Sequence, residues 1–169
     1  MIMNQLSAFK SVKGFIFDVD GVFTNALIGL TETGDQVRQF TVRDHYAVRR
    51  ALKLGYKICV ITAGRSIGVE KNLRNLGIEY IYSNTSDKKP AFIDFLIKAK
   101  LDESQILYMG DDLPDLPVMK LVALPTCPCD AVPEILEISK YTSPFKGGHG
   151  CVRDVIEKVL KLNQQWITA

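Results

Sequence analysis

The sequence predicts an α/β fold, a doubly wound parallel sheet with helices on both faces and a β-hairpin inserted near its start. Three observations carry this prediction. Short apolar runs of strand length alternate with longer amphipathic segments, the pattern of a parallel sheet covered on both sides. Several of the runs end in polar or acidic residues, as strands do where they meet a crevice. The first apolar run stops at two carboxylates, Asp18 and Asp20. Such charges are tolerated at the end of a buried strand but not in its middle.

The elements follow in order. Phe15 to Val19 reads as the first strand. From Ala26 to Val42 a broken alternation surrounds Thr33-Gly34-Asp35, which predicts a hairpin with Leu30, Val37 and Phe40 available for one buried face. Asp44 is placed to cap a helix that Gly55 closes. Lys57 to Ile61 is a second core strand ending at Thr62. Ser66 opens a helix that stops at Gly77, and Tyr80 to Tyr82 is a short strand. Pro90 suits the first turn of a helix reaching about Lys100. Ile106 to Met109 is a further strand, ending at Gly110-Asp111-Asp112. Leu113 to Lys120 reads as a short helix, Leu121 to Leu124 as a weak strand and Pro125 to Pro133 as loop. Glu134 to Ser139 is a helical turn, Pro144 to Gly150 a glycine-rich loop, and Val152 to Trp166 a last amphipathic helix.

Composition limits the function. A length of 169 residues suits one domain with a full core, and no linker or repeat divides it. A net charge of +2 gives no bulk attraction to nucleic acid. No apolar run reaches the ~20 residues that span a bilayer, and Met1 to Lys13 lacks the apolar segment of a signal peptide. Cys59, Cys127, Cys129 and Cys151 show neither zinc-finger nor disulfide spacing, so reduced thiols in a cytoplasmic protein are expected.

In a parallel sheet the strand ends lie side by side, so Asp18, Asp20, Thr62, Lys88, Asp111 and Asp112 converge on one pocket. Carboxylates without a His or Cys cluster favour a hard, oxygen-seeking ion, Mg²⁺ above all. Lys88 and Thr62 offer donors to a phosphate held by the same ion. One Asp can then act as a nucleophile and its neighbour, two residues on and facing the same way, as general acid and base.

Asp18-Val19-Asp20-Gly21-Val22, Thr62, Lys88 and Gly110-Asp111-Asp112-Leu113-Pro114-Asp115 together resemble the four motifs of the haloacid dehalogenase (HAD) superfamily of phosphatases. The resemblance covers nearly the whole chain in the right order. It implies a Rossmann-like HAD core, with Asp18 as nucleophile and metal ligand. Asp20 would be acid/base and bind the metal through its backbone carbonyl. Thr62 and Lys88 would hold phosphate, Asp111 would complete the protein ligands of Mg²⁺, and Asp112 and Asp115 would support them.

Thr41-Val42-Arg43-Asp44, Arg49, Ser86-Asp87-Lys88 and the tail Gly147-Gly148-His149-Gly150-Cys151-Val152-Arg153-Asp154 resemble the capless 3-deoxy-D-manno-octulosonate 8-phosphate phosphatase family. That resemblance implies no cap domain. It implies a small sugar-acid phosphate substrate from lipopolysaccharide precursor synthesis, and a homotetramer whose hairpins and tails roof neighbouring sites. Neither nucleic acid nor membrane is an expected partner. Arg43, Asp44, Arg49, Arg65 and His149 are candidates for substrate contact; the arginines have the alternative of pairing with Asp44 and Glu70. His45 reads as a helix-start residue.

The chain departs from the family at Asn25-Ala26 (usually Asp-Gly), His45 (usually Gly), His149 (usually Arg) and an inserted Ala63. Two of these fall where substrate or neighbour contacts are expected, which keeps a nine-carbon sialic-acid-type phosphate as an alternative substrate. A phospho-acceptor switch domain gathers similar residues, but it places its acidic pair first in the chain, and here the pair comes last. A HAD fold kept only for binding would have little need of the intact motif set.

Overall fold

The structure is a computed structural model; it describes residues 2–166, with side chains from residue 5 onward. In chain order it runs α1 (Ile2–Ser11), β1 (Gly14–Phe17), a kinked helical turn over Val19–Phe23, β2 (Gly29–Leu30), β3 (Gln36–Val37), α2 (Val42–Lys53) and β4 (Lys57–Ile61). There follow α3 (Ile67–Asn75), β5 (Tyr80–Tyr82), α4 (Lys88–Ala99), β6 (Ile106–Met109), α5 (Leu116–Met119), β7 (Leu124–Cys127), α6 (Pro133–Ile138), β8 (Tyr141–Thr142) and α7 (Cys151–Leu162).

Six strands form one parallel sheet in the order β5-β4-β1-β6-β7-β8, and β2 and β3 form a separate antiparallel ribbon. β1 sits in the middle because all four of its residues are buried and apolar or glycine, which only a central strand can satisfy. The chain leaves β1 for β4 on one side and later returns to β6 on the other. This reversal is the switch point at whose carboxyl edge such sheets bind ligands. Register completes the placement: Phe17 lies opposite both Val60 and Met109, so β1, β4 and β6 end at one level.

Alternation along β1 divides the core. Phe15 and Phe17 point to the face covered by α1, α2 and α7, where Phe23, Val48, Val155 and Leu160 pack. Ile16 points to the other face with Cys59, Tyr108, Phe92 and Phe95. Caps fix the helix starts: Thr41, Ser66 and Asp87 accept from Arg43, Val69 and Lys89 N–H groups at α2, α3 and α4.

Several expectations are corrected. Thr41, not Asp44, caps α2, because the chain is already helical from Val42. The hairpin exists, but Leu30 and Val37 are 74% and 51% exposed; only Phe40 packs on the core. The weak strand over Leu121 to Leu124 lies three residues later, at Leu124–Cys127; Pro125 stands level with Tyr108 in the ladder but turns its carbonyl the other way, accepting the Lys140 N–H at 2.9 Å. The first strand ends at Phe17, since Asp18, still extended, caps the kinked turn that begins at Val19. α1 and β8 had no sequence expectation. α1 is held by Phe9 in the core, and β8 by β7 pairing, a contact that two residues cannot signal alone.

Candidate active site

The site forms where β1, β4 and β6 end. Asp18 leaves β1 in extended conformation, donates its N–H to the Met109 carbonyl at 3.1 Å and accepts the Val19 N–H on Oδ1 at 2.7 Å. The chain then needs a left-handed residue, and Gly21 supplies it at φ +88°. A Cβ on Gly21 would stand 1.9 Å from Asp111 Oδ2, so the glycine is also what lets the Asp111 carboxylate lie against the turn. From the far end of the chain the Gly147-Gly148 loop closes over the same turn. Gly148 donates its N–H to the Val22 carbonyl at 2.9 Å, and a Cβ on Gly147 would meet the Gly21 carbonyl oxygen at 2.1 Å.

Asp18, Asp111 and Asp115 each present a carboxylate oxygen within 4.8 Å of the others. Lys88, the first residue of α4, is the buried cation among them, with Nζ 2.7 Å from Asp115 Oδ1 and 3.1 Å from Asp18 Oδ1. Asp115 is fully buried and saturated. Its Oδ1 also accepts the Tyr108 hydroxyl at 2.6 Å, and its Oδ2 accepts the N–H groups of Asp111 and Asp112 at 3.1 and 3.4 Å. Asp112 itself is exposed and caps the short turn that follows, accepting the Leu113 N–H at 2.7 Å.

One lysine does not balance three carboxylates. Burial, then the charge of Asp115, raises Asp18 to about 7 against the pull of Lys88. Burial, then Asp18, Asp115 and Asp112, raises Asp111 to about 8. For Lys88, burial opposes the charge, but Asp18 and Asp115 more than offset it and its pKa is raised. A hard divalent cation relieves this surplus, and an all-oxygen donor set suits Mg²⁺.

Beside this cluster, Asp20, Arg38, Thr62, Gly64 and Ser66 line one pocket. Thr62 is buried at the end of β4, and its hydroxyl accepts the Gly64 N–H at 3.1 Å. Asp20 Oδ1 accepts Arg38 Nε at 2.7 Å and the Thr24 hydroxyl at 3.2 Å, and Oδ2 accepts Arg38 Nη2 at 3.1 Å.

The structure thus brings together Asp18, Asp20, Thr62, Lys88, Asp111 and Asp115. The remaining candidates lie elsewhere. Arg43 and His149 line a cleft of about 420 Å³ with Arg153, Glu157 and Lys161 along α7. His149 also borders a second cleft of about 390 Å³ with Asn25, Phe40 and Thr41, so two of the departing positions share one wall. Arg49 and Arg65 are exposed. Asp44 is buried and accepts the Arg153 N–H at 2.7 Å, capping α7 where Gly150 has no side chain to do so. The alternative pairings with Asp44 and Glu70 are also corrected: Glu70 meets Arg74, and Asp44 takes a backbone N–H. His45 sits 3.4 Å from Asn72, and burial followed by the Arg49 charge lowers its pKa.

Sequence reasoning missed two residues. Tyr108 carried a weak signal, a hydroxyl in the otherwise apolar run Ile-Leu-Tyr-Met. Arg38 carried none, because an arginine on a hairpin reads as solvated.

A parallel sheet with these residues at the carboxyl ends of its central strands is the architecture of a HAD-superfamily phosphatase. No family model matches the chain. The chain is 36% identical over 151 residues to the 3-deoxy-D-manno-octulosonate 8-phosphate phosphatase KdsC of Escherichia coli K12, covering 89% of this chain and 80% of that one. A crystal structure of the corresponding phosphatase from Yersinia pestis superposes with TM-score 0.94 at 32% identity, over 96% of this chain and 88% of that one. Another, from Moraxella catarrhalis, holds a magnesium ion, a phosphate ion and a KDO molecule; it superposes with TM-score 0.94 at 27% identity, over 98% and 95% of the two chains. The chain belongs to the 3-deoxy-D-manno-octulosonate 8-phosphate phosphatase family.

Proposed function

We propose that this chain is a Mg²⁺-dependent phosphomonoesterase that hydrolyses 3-deoxy-D-manno-octulosonate 8-phosphate to the free sugar acid and inorganic phosphate, a step in lipopolysaccharide precursor synthesis. The observation that carries this reading is the meeting of Asp18, Asp111 and Asp115 around Lys88, within a chain 36% identical to an enzyme of that name.

Asp18, Asp111 and the main-chain carbonyl of Asp20 would hold the cation, with Asp115 behind them. When bound, Mg²⁺ neutralises phosphoryl charge and keeps the neighbouring carboxylates ionised. Asp18 then attacks phosphorus while the bond to the sugar oxygen breaks, and Asp20 delivers the proton that oxygen takes up. Lys88 and Thr62 hold the phosphoryl oxygens. In the second half Asp20 takes a proton from water, whose oxygen attacks the aspartyl phosphate; phosphate leaves and Asp18 is restored.

The whole length acts as one catalytic domain in this reading. The exposed apolar residues Leu27, Leu30 and Val37 on the hairpin support a homotetramer in which hairpins cover neighbouring sites. The free thiols support a cytoplasmic place of action.

Phosphate release tests the proposal. With Mg²⁺ the chain is expected to turn over the eight-carbon substrate many times, faster than a nine-carbon sialic-acid-type phosphate, and D18N is expected to abolish turnover while leaving the melting temperature near wild type. Release stopping at one equivalent would indicate a switch domain, a faster nine-carbon reaction would reassign the substrate, and an active D18N would remove the covalent role.

A further inference from the structure

We propose that Arg38 is a positioning residue for Asp20, fixing the direction in which that carboxylate faces the leaving oxygen and tying it to the hairpin. The inference rests on the reading of Asp20 as acid and base.

The hairpin is otherwise a solvent-exposed ribbon, with Leu30 and Val37 both exposed. The Arg38 side chain, one residue past β3, is only 5% exposed. Alternation explains how: Arg38 and Phe40, two apart, face the body of the protein, while Val37 and Gln39, on either side of Arg38, are exposed. A guanidinium drawn inward needs a partner for its charge, and Asp20 provides it through two parallel bonds of 2.7 and 3.1 Å. Such a fork fixes the plane of the carboxylate as well as its position, which a single lysine contact does not. Gln36 Oε1 accepts Arg38 Nη1 at 3.1 Å and holds the guanidinium from behind. The Thr24 hydroxyl completes the set on Asp20 Oδ1.

The placement is at the site. A Cβ built on Gly64 would lie 3.4 Å from Thr62 Oγ1, 3.5 Å from Asp20 Oδ2 and 3.8 Å from Arg38 Nη2, so all three groups border one spot beside the proposed phosphate-binding threonine. The two cations divide the work: Lys88 bonds Asp18 and Asp115, and Arg38 bonds Asp20. An acid that is free to rotate loses much of its rate advantage, because proton transfer needs the donor at hydrogen-bond distance in the right direction.

Leaving-group dependence distinguishes positioning from general structural support. A sugar alkoxide needs a proton as it leaves; p-nitrophenolate does not. D20A sets the yardstick and is expected to lower kcat/KM, which ends at transfer to Asp18 and so leaves out the water step that both substrates share, far more on the sugar phosphate than on p-nitrophenyl phosphate. R38A should follow the same pattern, with about a ten-fold or greater loss on the sugar phosphate and a much smaller one on the aryl ester. R38K should recover part of the loss, and R38A placed in the D20A background should cost nothing further. Equal losses on both substrates, or a full additional loss in the D20A background, would overturn the role of Arg38. A D20A enzyme without leaving-group discrimination would instead overturn the assignment of Asp20. If R38A does not fold, the comparison is made with R38K, for which the same selective loss is expected and a uniform loss is the contrary result.

Discussion

Asp44 shows how a residue can be read correctly as special and wrongly as to why. Its place after Thr41-Val42-Arg43 suggested substrate contact, yet its carboxylate is buried against the start of α7, with Oδ2 lacking a hydrogen-bond partner among the described residues. The signal that would have separated the two roles is Gly150, a helix start without a capping side chain 106 residues away, and no local pattern joins them. Burial raises Asp44 to about 6, against the opposing Arg153 N–H and charge. An unfolded aspartate titrates near ~3.9, so the folded state holds this proton more tightly. The stability that the protonated form contributes is full below pH ~4 and is lost as pH rises through about 6. D44N keeps an oxygen for the Arg153 N–H and carries no charge. Thermal melts should therefore show D44N gaining on wild type between pH 5 and pH 8, by at most ~2–3 kcal/mol. A difference that stays constant across that range would show that the buried charge is not what matters at this position.

At the level of elements, strands announced by continuous apolar runs were legible to within a residue or two, as at Lys57–Ile61, Tyr80–Tyr82 and Ile106–Met109. Buried strands leave little freedom, because every polar group in them needs a ladder partner. The hairpin was legible as an element but not in its orientation. Two-residue strands cannot fix which face is inward, and the decision falls to long-range contacts just past β3, the Arg38–Asp20 ion pair and Phe40 on the core. The consequence is a ribbon that leaves Leu30 on one face and Val37 on the other, both exposed. Since these side chains bury little within their own chain, the double variant L30D/V37D should leave the melting temperature of an isolated chain nearly unchanged. Under the tetramer reading it should lower the mass measured by light scattering and reduce turnover. An unchanged mass would place subunit contacts elsewhere or rule out the assembly.

For the molecule as a whole, the site was legible because topology does the gathering. Residues 18, 62, 88 and 111 are distant in sequence, but each follows or adjoins a strand end, and a β5-β4-β1-β6 order puts those ends in a row. What could not be read was the interior bonding: that Asp115 holds Lys88 and the Asp111 backbone at once, or that Tyr108 completes it. Those contacts depend on side-chain packing between α4 and the turn after β6, which motif spacing does not encode. The resulting surplus of negative charge is the central feature, and it has a pH signature. Asp18 and Asp111, raised to about 7 and about 8, must release protons when a cation binds, so Mg²⁺ affinity should increase as pH rises from 6 to 8 and then level off. The most direct measurement is a calorimetric Mg²⁺ titration of the wild type, D18N and D111N at both ends of that range. One ion per chain, tighter binding at pH 8, and at least ~10-fold weaker binding in either variant is the result expected of a shared cation site. Equal affinity in all three proteins, or no binding by the wild type, would mean that these carboxylates do not meet around a metal.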